Sequence, residues 1–216
     1  MSDQREAPAR LAYAGVVLAA GEARRMGGRP KSLVERDGVA LIRRVTQALL
    51  GAGVREVVVV LGHRAAEVGA PIADLPVRRI VNEDYAAGRA SSLRAGLAAL
   101  SGKFDAVAVA LADLALLEAV DVETLLRAYE RRAAAVRALV PCTNGARGHP
   151  VVLETGVCRA ILAREAGYGA RDWLASHPSE VEWLEADHVR YVTDVDTPAD
   201  LERIAQHYGC AMRWPE

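Results

Sequence analysis

Short, almost uninterrupted apolar runs, each closed by glycine or a polar loop and followed by a helical pattern, constrain this chain more than any other feature. Residues 13–20 (YAGVVLAA) stop at Gly21, and residues 55–62 (REVVVVLG) carry valine at 57, 58, 59 and 60. A strand that is apolar at successive positions is covered on both faces, which is the condition of a strand inside a parallel sheet. Between these runs Leu41, Ile42, Val45, Ala48 and Leu49 recur at helical spacing and end at Gly51 and Gly53, residues suited to a helix terminus. The alternation continues with a strand at 77–81, a helix at 91–100 and a strand at 104–111. A helix over Val122, Leu125, Leu126 and Tyr129 follows, with Asp121 in the N-cap position. Strands are expected at 138–140, 150–153, 181–184 and 190–193, with a helix at 170–176. Thr197, Pro198, Asp200 and Gly209 mark the start and end of a last helix. Strands alternating with helices predict an α/β fold, its sheet mostly parallel, with helices on both faces and right-handed crossovers.

The chain has 216 residues, which suits one domain. We expect a flexible segment over 1–12, a domain over 13–209 and a tail over 210–216. A hydrophobic fraction of 51% excludes disorder. Lys and Arg number 27 against 28 Asp and Glu, a balance that excludes a general nucleic-acid binder. Cys142, Cys158 and Cys210 form no CxxC pair, so neither a zinc ribbon nor a disulfide scaffold is expected. No run is long and apolar enough to span a bilayer, and the opening MSDQREAPAR does not read as a signal peptide. The expectation is a cytoplasmic enzyme with no membrane and no nucleic-acid partner.

In a sheet of this kind the ligand sits beyond the carboxyl ends of the strands. The loops after the first strand, after Val81 and after Leu111 are therefore the candidate sites. The first loop is Gly21-Glu22-Ala23-Arg24-Arg25-Met26-Gly27-Gly28-Arg29-Pro30-Lys31. Glycines there let backbone N–H groups approach phosphates, although a mobile surface loop has the same composition. It is not a P-loop, because Lys31 follows Pro30, and Gly21, Gly27 and Gly28 lack the dinucleotide spacing. Only Lys31 and Lys103 among the 27 basic residues are lysines, so a lysine in this loop is not the chain's default cation. Asp113, just past the strand at 104–111, either caps a turn or holds a cation. Asp194 and Asp196 are alternate residues of an extended segment and face the same side. They either share that cation or flank the cap of the last helix. Ser91 and Ser92 open a helix and can cap it. His149 precedes Pro150 and is either structural or a ligand contact.

Leu18-Ala19-Ala20-Gly21, followed by Arg25-Met26-Gly27-Gly28 and Lys31, resembles the signature of the MobA-like nucleotidyltransferases. Asn82, the run from Gly88 to Leu97 (GRASSLRAGL), the run from Gly145 to Leu153 (GARGHPVVL), Gly167-Tyr168-Gly169-Ala170-Arg171 and the run from Asp194 to Leu201 (DVDTPADL) resemble the molybdenum cofactor cytidylyltransferase branch. The resemblance implies a Rossmann-like three-layer nucleotidyltransferase fold. It implies an enzyme that uses Mg²⁺ or Mn²⁺ to transfer CMP from CTP to the phosphate of a molybdopterin-type cofactor, releasing pyrophosphate. A molybdoenzyme recipient is a further partner it allows.

The resemblance also implies residue roles. Arg25, Lys31 and Asp113 are catalytic. Leu18, Ala19, Ala20, Gly21, Gly27, Asn82, Ser91 and Ser92 bind the nucleotide. Asp113 holds the metal, with Asp194 and Asp196 as candidate co-ligands. Arg147, His149 and Arg171 face the acceptor, where guanidinium suits a phosphate. One departure stands out: the family has a proline two residues after the metal aspartate, and this chain reads Asp113-Leu114-Ala115. Two alternatives remain on the same fold, a pyridine-nucleotide-dependent oxidoreductase and a non-catalytic carrier of the molybdenum cofactor.

Overall fold

The structure, a computed structural model, describes residues 11–215; the segment expected to be flexible lies outside these apart from its last two residues. In chain order the elements are β1 (Tyr13–Ala19), β2 (Glu35–Arg36), β3 (Val39–Ala40), α1 (Leu41–Gly51), β4 (Glu56–Leu61), α2 (Ala65–Gly69), β5 (Arg78–Val81) and α3 (Arg89–Ala99). They continue with β6 (Ala106–Leu111), α4 (Ala119–Glu130), β7 (Ala138–Thr143), β8 (Ala146–Arg147), β9 (Val151–Glu154), α5 (Thr155–Leu162), α6 (Ala170–Ser176), β10 (Val181–Glu185), α7 (Pro198–Tyr208) and β11 (Met212–Arg213). The main sheet runs β10-β7-β9-β6-β1-β4-β5, with β8 paired to β7. All pairings along that path are parallel except those of β9, which runs antiparallel to both β6 and β7. A small antiparallel sheet, β11-β2-β3, brings residues expected in a C-terminal tail against the first third of the chain.

The apolar runs become the central strands because both faces are covered. Val57, Val59 and Leu61 pack into one core with Ile42, Val45 and Leu49 of α1 and Val122, Leu125 and Tyr129 of α4. Val58 and Val60 pack into the other with Leu93 and Leu97 of α3, Ile161 of α5 and Trp173 of α6. Alternate side chains of one strand thus serve opposite layers. The result is the expected three-layer α/β fold.

Three local expectations are corrected. Glu118, not Asp121, is the N-cap of α4, and Asp121 closes its capping box by accepting from the Glu118 N–H at 3.0 Å. The Asp121 side chain is 1% exposed and is paired with Arg190 at 2.6 Å. Its charge is spent holding the 187–193 segment rather than capping alone. Residues 190–193 form no strand: Val192 N–H and the Thr193 hydroxyl both turn back to Val189 O. Tyr191 is buried there and donates to Asp121 O at 2.7 Å. Helix α5, unexpected from the sequence, follows β9 directly and buries Val157, Cys158 and Ile161.

Gly96 marks how closely α3 lies on the sheet. A Cβ there would meet Val16 Cγ1 at 2.5 Å and Val60 Cγ2 at 2.8 Å. Both valines are fully buried and their β-branched side chains have little rotamer freedom. Gly96→Ala gains about 1 kcal/mol of helix propensity, but overpacking a dense core costs about 1–3 kcal/mol. At 2.5 Å the clash falls at the upper end. Urea unfolding is expected to show a net loss of about 1 kcal/mol or more; an unchanged midpoint would mean that α3 stands further from the sheet.

Candidate active site

Strands β1 and β6 are neighbours, with Leu18 opposite Leu111. The loop after β1 and the aspartate after β6 therefore leave the sheet side by side. Backbone hydrogen bonds shape the loop, with Met26 N–H and Gly28 N–H both donating to Ala23 O. Residues 24–26 make a single 3-10 turn flanked by positive φ at Ala23, Gly27 and Gly28. Buried Met26 anchors that turn among Val34, Leu41, Leu116 and Val195. Between loop and strand ends lies a cleft of about 490 Å³, lined by Leu18, Ala19, Ala20, Gly21, Arg25, Lys31, Ser92 and Asp113 among others. Gly27 is outside the lining and shapes the loop behind it.

Asp194 and Asp196 reach Asp113 through backbone pairing. The Ala115 N–H donates to Thr193 O at 2.9 Å, and the Val195 N–H donates to Asp113 O at 3.1 Å. A proline at 115, the residue the resemblance implies, has no N–H and could not make the first of these bonds. One carboxylate oxygen from each of Asp113, Asp194 and Asp196 lies within 4.8 Å of the others. Lys31 Nζ donates to Asp196 Oδ1 and stands 3.5 Å from Asp113 Oδ2. Arg25 reaches Asp196 Oδ2 at 2.7 Å from the loop side.

The electrostatics follow from this crowding. Burial, with the like charge of Asp194, pushes the Asp113 carboxyl above its ordinary value despite Lys31. Burial and then Asp196 do the same to Asp194. Burial alone would raise Asp196 too, but the Lys31 and Arg25 cations hold it below the usual carboxylate value. Asp113 Oδ1 is buried with no hydrogen-bond partner among the described residues. A buried, unpaired carboxylate oxygen on a group that converges with two further carboxylates within 4.8 Å belongs to a hard-donor set of the kind Mg²⁺ or Mn²⁺ takes, so the residues fit such an ion.

Beside the cleft, Asn82 is buried and its Nδ2 donates to Ser91 Oγ at 3.0 Å and Ser92 Oγ at 3.1 Å. Ser91 Oγ donates to the Asp84 and Gly88 carbonyls. Neither serine caps α3: Gly88 takes that position, at φ 106°. Asn82 and Ser91 therefore build the turn, while Ser92 lines the cleft. Arg89 also lines it, and the sequence pattern did not single it out. It is exposed and has no ion-pair partner among the described residues. Its signal was its place in the Gly88–Leu97 stretch, read there only as spacing.

The three residues expected at the acceptor lie outside the cleft lining but close to one another. His149 stands 3.3 Å from Val109 O through Nδ1. Burial, helped by the Arg89 and Arg147 charges, pushes its pKa down to about 4, so it is neutral. Gly148 packs against Tyr191, where a Cβ would stand 2.7 Å from the carbonyl oxygen. Burial and the like charge of Arg171 lower the pKa of Arg147. Arg171 lies in the first turn of α6, whose Gly169 abuts Ala90 at the start of α3 (3.1 Å for an added Cβ).

Comparison with known proteins agrees with this architecture. Nicotine blue oxidoreductase of Paenarthrobacter nicotinovorans is 34% identical over 194 residues, 88% of this chain and 95% of that protein. A nucleotidyl transferase from Methanothermobacter thermautotroptrophicus has the same fold, with a TM-score of 0.74 at 23% identity over 91% of this chain and 97% of that one. So does Rv0371c of Mycobacterium tuberculosis in complex with manganese, with a TM-score of 0.70 at 23% identity over 90% and 98%. The MobA-like NTP transferase domain matches residues 15–181, a span that takes in the glycine loop, the Asp113 strand end and the Arg147–His149 turn. The chain therefore belongs to the MobA-like NTP transferase family.

Proposed function

We propose that this protein is a divalent-metal-dependent nucleotidyltransferase that moves CMP from CTP onto the phosphate of a molybdopterin-type cofactor. The unit over 13–209 carries the activity, in the cytoplasm. The observation that carries the transferase reading is the convergence of Asp113, Asp194 and Asp196 within 4.8 Å, with Asp113 lining the same cleft as the Gly21–Lys31 loop and Asp196 ion-paired to Lys31 and Arg25 of that loop. The manganese bound by the Mycobacterium tuberculosis relative supports a divalent ion. Such an ion would be held by Asp113 with Asp194 and Asp196, and would neutralise triphosphate charge. An oxygen of the acceptor phosphate attacks the α-phosphorus in line. The new O–P bond forms as the bond to the bridging oxygen breaks, and that oxygen takes the electron pair into pyrophosphate. The loop from Leu18 to Gly28 offers backbone N–H groups to the phosphates, and Arg25 and Lys31 stabilise the charge that builds on the leaving group. Ser92, held by Asn82 within the turn that Ser91 helps to build, faces the nucleoside. Arg147 and Arg171 bind the acceptor phosphate beside neutral His149.

A second function rests on one specific observation, the 34% identity to an oxidoreductase that this chain matches almost end to end. On that reading the cleft holds a pyridine nucleotide, and the three carboxylates serve the loop's cations. The test is pyrophosphate release from CTP, GTP and ATP, with and without reduced molybdenum cofactor and Mg²⁺, set beside oxidation of NADH and NADPH. Metal-dependent pyrophosphate release supports the transferase. Metal-independent oxidation of the reduced nicotinamide moves the protein to the second function. Cofactor binding with neither activity makes it a carrier.

Given transfer, CTP is expected to exceed GTP by at least about tenfold in kcat/KM, about 1.4 kcal/mol of transition-state binding. Equal use of both would remove the cytidylyl assignment. Asp113→Asn keeps the shape but loses the charge that a hard cation needs. It should abolish turnover while leaving the melting temperature near wild type; turnover within twofold of wild type would end the metal assignment. Lys31→Ala is expected to lower kcat by about 10²–10³, the usual loss of one transition-state donor. Lys31→Arg should recover part of that, because a planar guanidinium does not replace a compact ammonium. Steady-state kinetics in which Lys31→Ala matches wild type would take Lys31 out of the site.

A further inference from the structure

Lys31 is placed unusually for a phosphate-binding lysine. Its ammonium is not directed into open solvent from the loop: the side chain is 17% exposed and bonded to Asp196 Oδ1, with Asp113 Oδ2 at 3.5 Å. These are two of the three carboxylates that converge within 4.8 Å. We infer that Lys31 is an internal counter-cation of the carboxylate cluster, so that the free protein excludes a lone divalent ion and accepts it together with a nucleotide triphosphate. The inference rests on the nucleotidyltransferase reading for the identity of the phosphate ligand, but not for the exclusion itself.

Three carboxylates this close cannot all be charged without a cation among them. In the structure Lys31 supplies it, Arg25 adding a second cation from the exposed side at 2.7 Å from Asp196. A divalent ion entering alone must displace the ammonium from Asp196, leaving Lys31 part-buried without a partner. The apparent affinity for the ion is then reduced by the fraction of molecules in which Lys31 has left. A triphosphate changes this balance. Its oxygens give Lys31 an anionic partner within the same cleft, which Lys31 lines together with the Gly21 loop. The carboxylates are then free for the ion that travels with the nucleotide. Ion and triphosphate thus favour each other's binding, and the coupling is reciprocal by linkage.

The neighbouring geometry makes Lys31 suited to a move of this kind. It begins a one-turn 3-10 segment, Lys31–Leu33, directly after Pro30, whose extended ψ of 114° sets the direction of that segment. Ser32 and Leu33 are buried and fix the backbone. Only the lysine side chain has to swing, from Asp196 toward the cleft. An arginine here would hold two carboxylates with a rigid fork and release them less readily. That accounts for a lysine in a chain with 25 arginines.

The test is equilibrium binding of Mn²⁺ alone, followed by electron paramagnetic resonance of the free ion, on wild type, Lys31→Met and Lys31→Arg without nucleotide. Lys31→Met should bind Mn²⁺ at least about tenfold more tightly than wild type, because a buried-side cation opposing the ion is gone. Lys31→Arg should stay as weak as wild type. In thermal melts Mn²⁺ alone should raise the melting temperature of Lys31→Met and leave wild type little changed, since an ion that binds only the folded state stabilises it. Melting without metal also shows whether each variant is folded. Equal Mn²⁺ affinity in all three proteins, or weaker binding by Lys31→Met, would overturn the inference. That result would leave the transferase proposal standing, whereas absence of pyrophosphate release would remove that proposal and leave the metal exclusion intact.

Discussion

Two backbone hydrogen bonds, Ala115 N–H to Thr193 O and Val195 N–H to Asp113 O, hold the rest of the site in register. They tie the segment leaving β6 to the segment leading into α7, and so bring Asp194 and Asp196 to Asp113. They fix the register in which the three carboxylates meet. What keeps this pairing in place is deeper in the fold. Asp121 anchors Arg190 and Tyr191, and Thr197 with Asp200 forms the capping box of α7. The strand that leads to Asp113, β6, is buried along its whole length. A rigid platform therefore presents a charge arrangement that mutual repulsion would otherwise drive apart.

The cations resolve that repulsion. Lys31 and Arg25 come from the loop after β1, which lies next to β6 because the two strands pair in parallel. Sheet order thus determines which loop faces which aspartate. Met26, buried with Val195 and Leu116, fastens the loop to the very segment that carries the acids. The same cluster includes Ile204 of α7. Loop, acidic segment and last helix therefore act as one packed unit, and the site's geometry depends on apolar contacts that make no contact with a substrate.

Much of this was legible in the sequence because continuous burial leaves a strong mark. The valine run of β4 and the alternating Ala-Val run of β6 read directly as central strands. The glycine loop, Lys31 and Asp113 were found from the strand ends, since parallel sheets place ligands there. Helix α5 was missed because it is only eight residues long and follows β9 directly, so its Val157, Cys158 and Ile161 stripe is too short to set a helical period apart from the strand before it. The strand expected at 190–193 failed for a different reason: Tyr191 and Val192 have strand-like side chains, but the Asp121 network turns their backbone. Asp121 itself looked like a cap because local spacing cannot reveal a partner distant in sequence. Tertiary pairing also hid the role of Ala115, whose N–H donates to Thr193 O, and the ion pair of Lys31 with Asp196.

We propose that Asp113, Asp194 and Asp196 form one cation-holding centre opposite a triphosphate-binding loop. A crystal structure with Mn²⁺ and a non-hydrolysable CTP analogue tests it most directly, through the anomalous scattering of the ion. A manganese peak is expected among the three carboxylates, with the Lys31 ammonium moved from Asp196 onto a phosphate oxygen. A manganese peak elsewhere, with Lys31 still bonded to Asp196, would contradict it.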